Sequence, residues 1–357
     1  MGGSLAGISA ALLAARAGHD VTVLERGRAA PTNPEEAWDV WPRLRQPHAF
    51  LPGLRCLLLR YFPDAYQSVM RAGAVELLTT AGEIALGCRR TTLELALRHQ
   101  ATAAGLRLAP ATTVTGLGTS AGGVSAVHVS QAGEARWIGA DLVIDATGRH
   151  SKVSRWLPGG VRVCAAAAKT TVWSRFYRAA TRPPLAGGVS ECAMGPGWCW
   201  YGLAADAGVC SLSLVQLPGA ARPGAAEFES AAATVPFARA LLRICAPVGP
   251  VRGMPLLGTV MRRCHVPGLA LAGDALLTTD PAYGLGALFA VEQAVLLAGL
   301  LGAPDSPAQV SRRWDELTAG RYGRYWQWAA AEDARRVSCW RAGTTPVPAP
   351  VPRELAL

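Results

Sequence analysis

The chain has 357 residues, long enough to bury a large core in two domains or one elaborate one, and it is not a small disulfide-stapled module. Half of its residues are hydrophobic and 17% are charged, which excludes a disordered chain. The formal charge of +10 comes almost wholly from arginines scattered singly or in pairs (Lys152 and Lys169 are the lysines), and without a basic run or stripe no nucleic-acid partner is expected.

A glycine turn opens the chain. Gly2, Ser4 and Gly7 read G-x-S-x-x-G, and residues 4–17 keep alanine and leucine on a helical period until Gly18 stops them. HDVTVLER follows as a short strand ending at Glu25, 23 residues after Gly2. Turn, helix, strand and terminal acid make the second half of a βαβ dinucleotide unit, and the strand that normally precedes the turn is expected to be missing. Residues 29–47, proline-rich and polar, are expected to form a long excursion. GLRCLLLRYF, DAYQSVMRAGA and TTLELALRHQATAAG are predicted helices.

Residues 107–147 alternate short strands with glycine turns and close on DLVIDATG, expected as a buried parallel strand returning to the first sheet. Between 170 and 217, TTVWSRFYRA, GWCWYGLA and GVCSLSLVQL predict an antiparallel sheet inserted as a second domain. GLALAGDALLTTDPAYGLG then gives a strand and a loop before a long helix. That helix, residues 285–301, is very apolar but carries Glu292 and Gln293 at its middle, which makes it a core helix and no transmembrane segment. The remainder reads as helical up to the proline-rich TTPVPAPVPRELAL.

Nine cysteines, an odd number without a C-x-x-C pair, fit buried thiols in a reducing compartment better than a disulfide framework or a metal site. The N-terminus lacks the charged region and cleavage site of a signal peptide, so a cytoplasmic location is expected.

Three stretches carry chemistry. The first glycines let a backbone approach a pyrophosphate at a helix N-terminus, and Glu25 is placed to accept hydrogen bonds from an adenosine ribose. In GDALLTTDPAYGLG a strand delivers Gly273 and Asp274 to its edge; Pro281 follows seven residues on, and Gly284 and Gly286 open the long helix. An Asp there can bond a ribityl hydroxyl while the glycines bring N–H groups to a flavin ring. The plainer reading of a lone Gly-Asp pair is a βα turn with a capping Asp, and the full spacing argues against it.

GGSLAG through VTVLER, DLVIDATGRHSKV and GDALLTTDPAYGLG, in that order, resemble the FAD-dependent monooxygenase and oxidoreductase superfamily with the para-hydroxybenzoate hydroxylase type of fold. The resemblance covers about positions 2–345 and includes CRRTTLELALR, where relatives bring an arginine to the FAD phosphates. It implies an α/β architecture. A Rossmann-type FAD-binding domain would take residues 1–165 with a short β insertion, a mostly antiparallel β substrate domain 166–262, the closing strand and helix 263–303, and a helical region with a proline-rich tail 304–357.

Among site residues, the resemblance assigns Gly2, Ser4 and Gly7 to the pyrophosphate turn and Glu25, with Arg26 beside it, to the adenosine end. Arg90 goes to the phosphates, with Arg89 as the alternative; Asp274 to the ribityl chain; Pro281, Gly284 and Gly286 to the flavin. Arg45, Gln46 and His48 fall where relatives approach the flavin or pyrophosphate, His48 reading equally well as a packed structural histidine. GWCWYGL is similar to the G-W-x-W stretch of flavin-dependent tryptophan halogenases, but the following Ile-Pro is absent and neither Lys152 nor Lys169 is an equivalent of their catalytic lysine. Trp198 and Trp200 are read as same-face strand residues lining the core or a substrate pocket.

The resemblance implies FAD as cofactor and a monooxygenase, a hydroxylase or epoxidase of secondary metabolism. Such an enzyme oxidises a hydrophobic or aromatic small molecule with molecular oxygen through a flavin hydroperoxide. Since the flavin carries that chemistry, no side chain is nominated as catalytic acid or base. The aromatic hydroxylases have an Asp-Gly pair where this chain reads ATGRHS, so Thr147 stands in place of an acidic residue and a separate flavin reductase competes with NAD(P)H as electron donor. A reductase or dehydrogenase of the isoprenoid-reductase type and a truncated, non-catalytic flavoprotein-like fragment are the alternatives.

Overall fold

The computed structural model describes residues 1–28, 31–41, 45–48, 50–79, 82–179, 190–219 and 221–347. Helix α1 (Leu5–Arg16) buries Leu5, Ile8 and Leu12 and gives way at Gly18 to β1 (Thr22–Leu24). The expected excursion contains a helix, α2 (Pro34–Val40). Asn33 caps it by accepting the Glu36 N–H at 2.9 Å, with Pro34 at the first position and Glu35 and Glu36 in the first turn. This local start signal is legible in the sequence, but the polar composition masks it.

Helices α3 (Pro52–Tyr61) and α4 (Pro63–Arg71) stand where their patterns put them, each with proline in its first turn. A hairpin that the sequence reading missed, β2 (Val75–Leu78) with β3 (Ile84–Gly87), separates them from α5 (Arg90–Ala103). Strands of four residues are too short to show alternation.

β4 (Arg107–Ala109) pairs in parallel with β1, Val23 opposite Leu108. β5 (Thr112–Ser120), β6 (Gly123–Gln131) and β7 (Glu134–Gly139) form the antiparallel meander that the glycine turns predict. β8 (Val143–Asp145) is the apolar strand at its end, yet it does not pair with β1. Met1 and Gly2 lie between the two. The Met1 nitrogen donates to Ile144 O at 2.7 Å, Ala146 N–H to Met1 O at 2.9 Å, and Gly2 N–H to Leu24 O at 2.8 Å.

After α6 (Val153–Trp156) and β9 (Val161–Ala165) comes the inserted sheet. Its strands are β10 (Thr170–Ala179), β11 (Ser190–Gly195), β12 (Trp198–Ala204) and β13 (Val209–Gln216), followed by helices α7 (Ala225–Ala232) and α8 (Pro236–Ile244) and then by β14 (Cys245–Leu257). The antiparallel order is β11-β12-β13-β10-β14. One face meets Phe228, Ala238 and Leu241 of the two helices. Trp200 is buried edge-on to Phe228 at 5.0 Å and Trp198 packs beside it half-buried, so this tryptophan pair builds core.

β15 (Val260–Cys264) pairs with β9, and β16 (Leu269–Leu271) runs parallel to β8, Leu271 opposite Asp145. β17 (Leu277–Thr278) adds to β15. α9 (Gly286–Leu301) packs along α1 and α10 (Pro307–Arg341) covers it. The polar middle of α9 is satisfied inside the protein, where the Tyr322 hydroxyl donates to Glu292 at 2.8 Å and Arg321 pairs with the same carboxylate. Among the described residues, no helix is long and apolar enough to cross a membrane. The proline-rich tail from 348 onward lies outside the described residues.

Candidate functional site

Close backbone approach dictates the first turn. Gly2 has φ +91°, and a Cβ there would lie 2.4 Å from Ala146 O; a Cβ on Gly7 would lie 1.8 Å from Gly2 O. The turn leads into the N-terminus of α1, the positive end of its dipole. Ser4 makes no side-chain cap bond. Instead its hydroxyl donates to Glu94 Oε1 at 2.5 Å and accepts from Arg90 at 3.0 Å. Arg90 Nε donates to the same Glu94 oxygen at 2.7 Å, one helical turn along α5, and that oxygen also takes the Leu5 N–H at 3.3 Å.

His48 completes this cluster. Its Nδ1–H donates to Gln46 O at 2.7 Å, which leaves Nε2 to accept from Arg90 at 3.2 Å. Burial and the Arg90 charge push its pKa down to about 3, so the ring is neutral. Gln46 turns toward the inserted sheet, where its side chain accepts from Ser174 at 3.0 Å. Arg89 also turns away, to the buried Asp206 at 2.7 Å and to Glu35 at 2.8 Å. Arg45 folds onto the carbonyls of Trp38 and Asp39, and Arg26 is exposed beyond β1; neither joins the cluster.

Glu25 is buried at the end of β1, its Oε2 accepting Gly3 N–H at 2.8 Å and its Oε1 accepting Gly27 N–H at 2.6 Å. Arg98 of α5 lies 3.6 Å from it and also donates to Gly3 O. Beside Glu25 is a cavity of about 360 Å³, lined by Val23, Thr32, Arg98, His99 and Pro110 among others, with room for a nucleoside.

The third motif meets the first in space. Gly273 follows β16 with φ +60°, and a Cβ there would lie 2.7 Å from the Cβ of Ala6 on α1. Its N–H donates to Gln293 of α9 at 2.6 Å. The half-buried Asp274 carboxylate takes no hydrogen bond from another described residue. Burial raises its pKa, against the pull of the Arg90, Arg149 and Arg262 charges.

Asp280 caps the next turn by accepting Ala282 N–H at 2.8 Å, Pro281 begins it, and Gly284 ends it at φ +67°. Gly286 needs neither an unusual φ nor the space, since the nearest atom to its Cβ position is Thr279 Oγ1 at 3.7 Å. Behind the turn, Arg336 of α10 donates to Asp280 at 2.6 Å and to Asp333 at 3.0 Å. Asp333 also accepts from Tyr283 and Thr259, and Asp280 from Thr170. Burial and the neighbouring Asp280 charge push the Asp333 pKa up to about 6. Lys152 and Lys169 are both exposed.

Sequence reasoning missed Glu94, Arg98, Asp333 and Arg336. Glu94 carried a signal, four residues after Arg90 on one helix face; the others had none, because only tertiary packing brings them to the motifs.

A parallel sheet edged by a glycine turn, a strand-ending acid and a Gly-Asp turn at a second helix, with an antiparallel sheet inserted, defines a dinucleotide-dependent flavoprotein of the para-hydroxybenzoate hydroxylase type. A family model described as FAD binding domain matches residues 62–328, more than half of the chain, and the chain belongs to that family. Its cofactor is FAD and it is an FAD-dependent oxidoreductase.

Several solved structures share the fold. The myxobacterial chondrochloren halogenase CndH is 17% identical, with 92% of this chain and 80% of that chain covered and a TM-score of 0.73. A flavoprotein/dehydrogenase from Cytophaga hutchinsonii is 16% identical, with 96% and 85% covered and a TM-score of 0.70. OxyS anhydrotetracycline hydroxylase from Streptomyces rimosus is 17% identical, with 96% and 70% covered and a TM-score of 0.65. No curated protein matches the chain.

Proposed function

We propose that the chain is an FAD-dependent monooxygenase, a hydroxylase or epoxidase, acting on a hydrophobic or aromatic small molecule. The carrying observation is convergence: Arg90 bonds Ser4, Gly273 touches Ala6, and Asp274 lies within the field of Arg90, so three motifs separated by up to 270 residues form one edge. The residues fit the cofactor. Gly2 and Gly7 let the turn fold tightly before the N-terminus of α1, where a diphosphate would sit, and the Arg90 donors now shared with Ser4 and His48 can turn to it. Glu25 lies beside a nucleoside-sized cavity, Asp274 accepts no hydrogen bond from another described residue, and Pro281 with Gly284 gives the ring a rigid wall.

Reduced FAD, when bound, supplies the reaction with dioxygen that places one oxygen atom on the substrate. The chain's own part is to bind, orient and exclude water. Neutral His48 holds Arg90 without adding a like charge beside the phosphate site. The segment 166–262 with its antiparallel sheet serves as the substrate domain in this reading. Thr147 donates its N–H and hydroxyl to Asp145 at 2.9 and 2.6 Å, and the electron donor in this reading is NAD(P)H or a separate flavin reductase. The hydroxylase and the halogenase of similar fold support a place in secondary metabolism.

The purified chain should bind FAD, turn yellow and consume oxygen in a substrate-dependent way. Arg90→Ala should weaken FAD binding about 10-fold to 100-fold, since a charged hydrogen bond contributes about 1.5–3 kcal/mol. A chain that stays colourless with added FAD refutes the proposal. Anaerobic reduction of an alkene without oxygen uptake would move it to the reductases.

A further inference from the structure

We propose that Cys192 and Cys199 form a redox-active dithiol that hydrogen peroxide closes to an intramolecular disulfide. The two cysteines lie on adjacent antiparallel strands: Cys192 of β11 is opposite Tyr201, and Cys199 of β12 is opposite Met194. That offset of two residues puts both side chains on one face of the sheet. Their sulfurs are 3.5 Å apart. A disulfide needs about 2.05 Å, so the sulfurs must approach by roughly 1.5 Å. β11 can supply this movement because, among the described residues, it is the edge strand and pairs only with β12.

The two thiols are unlike. Cys192 is exposed and Cys199 is buried against Val172, Val215 and Trp340. Hydrogen bonds from Cys199 and Tyr201 hold the Cys192 thiol below its ordinary pKa, while the bond to Cys192 and burial push Cys199 up. Cys192 is therefore the attacking thiolate and Cys199 the resolving thiol. In the first step the Cys192 sulfur attacks peroxide: an S–O bond forms, the O–O bond breaks, and hydroxide leaves as water after taking a proton. In the second step Cys199 sulfur attacks the sulfenic sulfur: an S–S bond forms, the S–O bond breaks, and the departing hydroxide takes the Cys199 proton. Two thiols lose two electrons to one peroxide, which becomes two waters.

The other cysteines provide internal controls. Cys210 and Cys245 are 3.8 Å apart but both buried, and Cys56 on α3 is exposed with no thiol bonded to it among the described residues. Proximity and access coincide at Cys192 and Cys199 and are separated in the controls.

The test is peroxide treatment of the folded, fully reduced chain, blocking of free thiols, and mass mapping after cleavage at Met194 or Trp198, which lie between the two cysteines. The expected result is a fragment pair joined through Cys192 and Cys199 and released by dithiothreitol, with Cys210 and Cys245 still reduced. In Cys199→Ser, Cys192 should stop at a sulfenic acid trapped by dimedone. The proposal is overturned if Cys192 and Cys56 react alike without the joined pair, or if Cys192 links only between molecules. Because the wild-type chain alone gives the decisive fragment, misfolding of the variant would not rescue a negative result.

Discussion

Two charged clusters flank the flavin motifs, and they are built on opposite plans. At the N-terminus of α1, Arg90 answers to Glu94 on its own helix, and its side chain is 27% exposed. At the Pro281 turn, Arg336 comes from α10 to two carboxylates, one of them 56 residues away; its side chain is 9% exposed and those of Asp280 and Asp333 are 1% and 2%. The first cluster can exchange a partner for a ligand because water and solutes reach it. The second has neither access nor spare acceptors, so it can only fix the turn against α10. Similar residue types thus give an exchangeable cluster in one place and a clasp in the other, according to burial.

The largest expected effect would break the clasp. Arg336→Leu leaves two buried carboxylates without their cation and should cost about 3–5 kcal/mol of stability, read by denaturant melts with and without FAD. Equal stability to the parent chain would show that the clasp is not buried as described. A second comparison sharpens the binding side. Gly7→Ala forces a Cβ into Gly2 O; overpacking of this kind costs about 1–3 kcal/mol of stability, and the displaced turn should weaken FAD binding on the order of 10-fold. Gly286→Ala, whose Cβ would meet Thr279 Oγ1 at an ordinary contact distance of 3.7 Å, should leave affinity within about 2-fold; fluorescence titration of FAD separates the two.

The smallest effect is a pair of opposed pH dependences. His48 titrates near 3 when folded against about 6.5 unfolded, so the unfolded chain takes up a proton first; this contribution to stability is present above pH ~6.5 and lost as pH falls. Asp333 titrates near 6 when folded against about 3.9 unfolded; its contribution is present below pH ~3.9 and lost as pH rises through 6. Between pH 4 and 6, Asp333→Asn should therefore steepen the rise of stability with pH and His48→Gln should flatten it, each by up to about 1.4 kcal/mol per pH unit. Parallel slopes in all three proteins would contradict both assignments.

How much of the site was legible follows the range of the forces involved. The glycine turn and the turn at Gly273 were readable because each is a local backbone requirement, a positive φ or a missing Cβ, and Glu25 because it ends the first strand at a set spacing from Gly2. The resemblance put Arg90 ahead of Arg89, and the fold sends the two apart: Arg90, the first residue of α5, reaches Ser4, while Arg89, the extended residue before it, turns to Asp206. The small hairpin β2–β3 and the long strand β14 were missed, the first for lack of length and the second because prolines and glycines interrupt its pattern.

By itself the sequence determined the periodic elements and the order of the three motifs, since hydrophobic spacing and turn chemistry act over a few residues. Only the tertiary structure decided which charges meet. It set Glu94 and His48 on Arg90, brought α10 onto the Asp280 turn, placed Met1 and Gly2 between β1 and β8, and left one cysteine of a close pair in solvent. Those outcomes depend on packing between distant segments, where burial fixes the strength of each charge and no local pattern records it.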